Sequence, residues 1–298
     1  MIIVNLKKEL VKFWQQAESL CHNLRVDLWN STIEANNEKL FQEQVWRSSS
    51  RENWEEFKSE KLRETFEFYE ENFLEIAELF DDFERVLTTQ CKKYAEVFPD
   101  SDFSKTPFYV MPSCMTFNGR GGSNSDYPDQ NVMYIGIDYI CKRNDDLDLF
   151  FSHELFHLYH IDRMGVNEKV FMEEGRLTLP LWLEGLATYV SGVVCPGKSV
   201  SELLMDDNFK DINAEKYPEV AQHFSKVANE KINHNEMKTY QSLFNFQTEP
   251  FIEDLPARIG YFLGYHVVKD IVADHELKDV VSWDHEKVHQ EVVKKILN

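Results

Sequence analysis

Two histidines four positions apart, with a glutamate directly after the first, are the residues best placed to do chemistry. They stand in Phe150-Phe151-Ser152-His153-Glu154-Leu155-Phe156-His157-Leu158-Tyr159, an H-E-x-x-H pattern in a strongly helical stretch. On a helix such positions share one face, about 6 Å apart along the axis. Two imidazoles so placed can grip one tetrahedral ion at zinc–nitrogen distances of roughly 2.0–2.1 Å. Glu154 can then reach a water on that ion as general base. The chemistry implied is metal-assisted hydrolysis, with His153 and His157 as ligands.

A third ligand is found downstream, in Leu179-Pro180-Leu181-Trp182-Leu183-Glu184-Gly185-Leu186-Ala187-Thr188-Tyr189. Pro180 suits a first helical turn and Gly192 a C-terminal stop. Leu183, Leu186 and Val190 share one apolar face. Glu184 sits among apolar residues, where an unpartnered carboxylate is costly. A zinc ion would serve as its partner. Gly185 and Ala187 are small enough to let a second helix approach closely.

The pattern occurs twice. His285-Glu286-Lys287-Val288-His289 also reads H-E-x-x-H, so the motif alone does not decide. The first copy is embedded in apolar residues, as a buried catalytic helix requires. The second carries Lys287 inside it and Asp284 and Gln290 beside it, which suits a solvated face. No helix bearing a glutamate follows it. The first copy is therefore read as the metal site, and His285 and His289 as surface histidines.

The elements that must position these groups divide the chain. Residues 1–98 read as a helical N-terminal region: Leu6, Leu10, Phe13, Trp14, Ala17 and Leu20 recur at helical spacing. A polar break falls at Arg47-Ser48-Ser49-Ser50. A long apolar stripe then runs from Phe57 through Leu62, Phe66, Tyr69 and Phe73 to Leu87. Pro99 to Pro107 reads as a linker, and residues 99–298 as one further domain. Phe108–Met111, Cys114–Phe117 and Asn131–Ile140 read as strands, with a wide hairpin loop over Asn118–Ser125. The motif helix is punctuated by Asn144, Asp145 and Asp146 before it and Gly165 after it. His160 lies one turn beyond His157 and reads as a neighbour rather than a ligand. Val220, Phe224, Val227 and Ala228 suggest one helix in an otherwise polar stretch without visible chemistry. A last amphipathic helix is expected from Trp283 to Leu297. The fold class is α+β, mostly helical, with a small antiparallel or mixed sheet.

The W-L-x-E-G-x-A-x-Y form of Trp182–Tyr189, following H-E-x-x-H, resembles the gluzincin class of zinc peptidases. A third segment, Pro256-Ala257-Arg258-Ile259-Gly260-Tyr261-Phe262-Leu263-Gly264-Tyr265-His266, reads as a helix whose Gly260 and Gly264 make a small face for close packing. This Gly-Tyr-rich helix resembles a bacterial family of predicted zinc-dependent proteases of unknown function, over about residues 108–275. The resemblance implies a zincin-like catalytic domain with Zn2+ held by His153, His157 and Glu184, and Glu154 as base. It also implies an oxyanion donor, for which Tyr265, Tyr261 and His266 are the candidates in that order. A strand near residues 131–140 would hold an extended peptide by main-chain pairing. No Gly-x-Met-Glu-Asn segment precedes the site, which favours an endopeptidase-like over an aminopeptidase site. Two other readings stay open: a zinc hydrolase of a non-peptide amide or ester, and a helical interaction protein with a non-catalytic metal site.

Composition narrows the partners. The chain has 298 residues, 43% of them hydrophobic, and a formal net charge of −20. Nucleic acid and anionic membrane surfaces are disfavoured, because both need basic clusters. Strongly acidic substrates are disfavoured too, and a peptide or protein substrate is expected. No apolar run approaches a membrane span, and the first residues lack the apolar core of a signal peptide. Five scattered cysteines without a C-x-x-C pair are not a disulfide framework. A cytoplasmic protein with mostly buried thiols is expected. The oligomeric state is not legible.

Overall fold

The computed structural model describes residues 1–48, 51–124, 126–165, 168–232, 237–245 and 248–297. Ser49 and Ser50 of the expected break, Ser125 of the expected loop, and residues 166 and 167 lie outside the described residues. The chain forms two compact units, Met1–Thr89 with Asp102–Leu147, and Gln90–Ser101 with Asp148–Asn298.

In the first unit, β1 (Ile2–Asn5) is followed by α1 (Lys7–Ala17), α2 (His22–Trp29), the short α3 (Glu38–Leu40) and the long α4 (Trp54–Val97), which belongs to this unit up to Thr89 and to the second from Gln90. Then come β2 (Pro107–Met111), β3 (Gly119–Asn124), β4 (Tyr127–Gly136) and α5 (Ile137–Arg143). The sheet is mixed, in the order β1-β2-β4-β3. β1 and β4 run parallel to β2, with Ile3 opposite Phe108 and Tyr109 opposite Tyr134; β3 runs antiparallel to β4. Aromatic residues fill the helical core beside it. Phe13 meets Trp29 edge-on at 5.1 Å, and Phe66 lies 5.7 Å from Phe13.

Several expectations change here. The N-terminal region is not purely helical, because Ile2-Ile3-Val4 pairs with a strand far along the chain. Its four residues are too few to show a pattern. Cys114–Phe117 is a turn rather than a strand: Cys114 and Met115 have φ of 51° and 59°, which no strand accommodates. The hairpin loop is itself a strand, and Asn131–Ile140 ends as strand at Gly136 and continues as α5. Buried Asp138 fixes that changeover. It accepts hydrogen bonds from Ser113 N–H (2.7 Å), Ser113 Oγ–H (2.8 Å), Tyr139 N–H (3.0 Å) and Tyr69 O–H (3.2 Å). Asn144 closes α5 in the left-handed region instead of opening the next helix.

The second unit is helical. It holds α6 (Leu147–Met164, from Asp148), α7 (Glu168–Glu173), α8 (Thr178–Val194), α9 (Val200–Leu203) and α10 (Tyr217–Ser225). α11 (Lys238–Phe244), α12 (Ile259–Val272), α13 (Leu277–Val280) and α14 (His285–Leu297) follow. The last turns of α4 anchor α6: Tyr94 O–H bonds to the Ser152 carbonyl, and Gln90 to Asp148. Gly165, at φ 65°, stops α6. α8 passes through Gly192 to Val194, two residues beyond the expected stop. Among the described residues no helix is long and apolar enough to cross a membrane.

The tightest helix contact joins α8 to α12. A Cβ placed on Gly185 would lie 2.3 Å from the Gly264 carbonyl carbon, and one on Gly264 would lie 2.4 Å from the Leu181 oxygen. Backbone meets backbone, so no rotamer change can relieve an added methyl. Gly185→Ala is expected to destabilise the protein by about 1–3 kcal/mol through overpacking. Thermal unfolding checks this; an unchanged midpoint would mean that the helices do not approach so closely.

Candidate metal centre

The H-E-x-x-H residues lie on α6, and α8 brings a carboxylate to them. His153 and His157 stand one turn apart, their rings 4.7 Å between centres and nearly perpendicular. Their Nε2 atoms lie 3.0 Å apart. Glu184 Oε2 lies 3.1 Å from the first and 3.3 Å from the second. Among the described residues this is the one group of three or more His, Cys, Asp or Glu whose ligand atoms converge, all within 4.8 Å. His153 is buried, while His157 and Glu184 are partly open.

The residues fit zinc. Ligands about 2.0–2.1 Å from a tetrahedral ion stand about 3.3 Å from one another, close to the separations seen. Three lone pairs aimed at one point repel unless a cation lies among them. A single proton can bridge two of them; a divalent ion satisfies all three. The outer nitrogen of His153, Nδ1, is buried without a hydrogen-bond partner among the described residues. A metal ligand usually donates that N–H to a carbonyl or carboxylate. Here an aromatic ring holds the imidazole instead, with Tyr261 stacked on His153 at 6.1 Å and 23°.

The three groups shift one another's ionisation. Burial opposes a proton on His157, but the Glu184 carboxylate outweighs it and, with Glu154, lifts the imidazole pKa above its ordinary value. Burial also opposes the charge on Glu184, yet His157 and His153 hold its carboxyl well below the usual range. The carboxylate thus keeps its negative charge. His160 is different. It is fully buried against Phe156 (4.9 Å), and neither ring nitrogen has a hydrogen-bond partner among the described residues. Burial, with His157 and Arg163 nearby, pushes its pKa down to about 3, so it stays neutral beside the cluster.

The other sequence candidates have these neighbours. Tyr261 reaches the cluster through its ring, and the Arg258 guanidinium lies 4.0 Å from that ring's centre. Tyr265 packs beside Tyr189 at 6.3 Å, and His266 beside Tyr217 at 5.4 Å and Phe262 at 4.6 Å. The second H-E-x-x-H opens α14 and braces the start of α8: His289 Nδ1 lies 2.9 Å from Thr178 Oγ1, and His285 Nε2 lies 3.7 Å from Glu174. Trp182 and Trp283 stack at 5.6 Å in the same contact.

Arg258 and Tyr240 are not among the candidates read from the sequence. Arg258 is buried ahead of α12. Tyr240, on α11, lies within the field of Glu184, and burial together with that charge pushes its phenol up to about 12. A lone arginine before an apolar helix, in a chain so acidic, was a signal available for Arg258. Nothing in the sequence around Tyr240 marks it.

Residues 83–290 match the model of a family described as "Predicted Zn-dependent protease (DUF2268)". No curated protein and no solved structure matches the chain. The metal assignment is checked by zinc content after purification. Glu184→Ala is expected to lower zinc affinity by more than about a hundredfold, beyond the usual cost of losing an outer-shell partner. His285→Ala is expected to retain one zinc per chain. Zinc that follows His285 instead would contradict the assignment.

Proposed function

We propose that this chain, which belongs to the family of predicted Zn-dependent proteases, is a gluzincin-like zinc peptidase that cuts within peptide chains. The observation that carries the reading is the convergence of His153, His157 and Glu184 with a glutamate, Glu154, on the same helix as two of them. A purely structural zinc site has four protein ligands and no use for a base. Three ligands among the described residues leave a position for chemistry.

A zinc ion held there would supply Lewis acidity, acidifying a water and polarising the carbonyl under attack. Glu154 takes a proton from the attacking water. The water oxygen bonds to the carbonyl carbon, and the carbonyl oxygen gathers negative charge. Glu154 then delivers the proton to the nitrogen as the C–N bond breaks. The half-buried position of Glu154 suits a group that must meet both water and substrate. The net charge of −20 favours neutral or basic peptides over strongly acidic ones. The absence of a Gly-x-Met-Glu-Asn segment removes the usual anchor for a free N-terminus, which supports internal cleavage.

Glu154→Gln tests the mechanism. The variant is expected to retain zinc and to lose about 10²–10⁴-fold in kcat on an internally quenched peptide library blocked at both ends, the range of general-base catalysis. Normal cleavage by this variant would refute the role of Glu154. Cleavage only of peptides with free N-termini would refute the endopeptidase reading.

A further inference from the structure

The metal centre is shared by two helices, so its geometry depends on how they are fixed to each other away from the ligands. We infer that Ser152, Gln90 and Cys195 are positioning residues for it; the inference rests on the zinc-site reading above. Their buried hydrogen-bond network ties the histidine helix α6 to the C-terminal end of the glutamate helix α8, and so sets the arrangement in which zinc is held.

Ser152 stands directly before His153 and is fully buried in an apolar stretch of helix. A serine or threonine inside a helix often turns its hydroxyl back to the carbonyl four residues earlier. Thr65, Thr188 and Ser191 do so, bonding to the carbonyls of Lys61, Glu184 and Ala187 at 2.7–2.8 Å. Ser152 sends its hydroxyl out of the helix instead. Its Oγ lies 3.1 Å from Gln90 Oε1, on α4, and 3.2 Å from the Sγ of Cys195, the residue that closes α8.

The donors and acceptors there fit one arrangement. The Asp148 carboxylate accepts, so the Gln90 amide presents its N–H to Asp148 and its oxygen to Ser152. Ser152 O–H donates to that oxygen, and the Cys195 thiol donates to the Ser152 oxygen. The thiol also lies 3.8 Å from Gln90 Oε1 and from the Asp148 carbonyl. Gln90, Ser152 and Cys195 are all buried, so losing one leaves the others unpaired where water does not replace it.

Helices that touched only at the ligands could pivot about them, and a second tie removes that freedom. α6 and α8 meet where His153 and His157 face Glu184, and again where Ser152 faces Cys195. Asp148 and Ser152, four positions apart, share one face of α6, and the two histidines share the adjoining one. Tyr94, also on α4, holds the Ser152 carbonyl. The close approach at Gly185 fixes α8 to α12 but not to α6. His153 Nδ1 has no hydrogen-bond partner among the described residues, so no such bond turns the ring toward the metal. The network holds the backbone that carries it.

The test measures zinc affinity by chelator competition and the visible spectrum of the cobalt(II)-loaded protein, whose bands follow ligand geometry. Ser152→Ala and Gln90→Met remove the bonds while keeping the core nearly filled, and Cys195→Ser keeps a donor in place. Val292→Ala, at a buried residue of α14, controls for destabilisation alone. Ser152→Ala and Gln90→Met are expected to bind zinc about 10–100-fold more weakly, the cost of losing a group that supports a ligand, and to shift the cobalt bands. Cys195→Ser is expected to match wild type in both readouts. Val292→Ala is expected to lower the unfolding midpoint and to leave affinity and spectrum unchanged. Wild-type affinity and spectrum in both Ser152→Ala and Gln90→Met would overturn the positioning role and leave the zinc site standing, as would an equal loss in Val292→Ala. Should Ser152→Ala fail to fold, Gln90→Met decides by the same readouts. Wild type that takes up neither zinc nor cobalt would overturn the zinc-site reading and this inference with it.

Discussion

Two imidazole nitrogens 3.0 Å apart and a carboxylate oxygen at 3.1 and 3.3 Å from them need protons or a cation shared among them. The second unit of the protein is built around that constraint. α6 supplies both histidines because a helical turn sets their spacing. α8 supplies the carboxylate, and α8 is held by contacts that tolerate almost no displacement. Gly185 meets Gly264 backbone to backbone on one side. Trp182 stacks on Trp283, and Thr178 meets His289. The second H-E-x-x-H thus has a place in the same construction, as a brace at the start of the glutamate helix.

The charge distribution follows the same logic. The chain is strongly acidic, but around the cluster the groups are sorted by role. Glu184 is held ionised by the histidines it faces. His160, one turn further along, is kept neutral by burial and adds no competing positive charge. Arg258 is buried and tied to Asp206 and a backbone carbonyl, so its charge acts on the Tyr261 ring from a fixed place.

Much of this is legible from local pattern, and the misses share a cause. The i, i+4 histidines, the buried glutamate and the small residues of two later helices are written in short stretches, and each appears where helical geometry puts it. The long apolar stripe from Phe57 to Leu87 is legible for the same reason. What escapes is set by partners distant in the chain. β1 is a strand only because Pro107–Met111 lies beside it. Cys114–Phe117 has strand-like residues, but the bonds to buried Asp138 turn the backbone there. The naming of Tyr265 and His266 as donor candidates rests on resemblance to a helix type; in the fold they lie beside Tyr189 and Tyr217.

The most direct test of the metal centre is diffraction from zinc-loaded crystals on both sides of the zinc absorption edge. The expected result is one strong anomalous peak per chain, about 2 Å from His153 Nε2, His157 Nε2 and Glu184 Oε2. A peak at His285 and His289, or crystals that take up no zinc while the three side chains remain in place, would contradict the account.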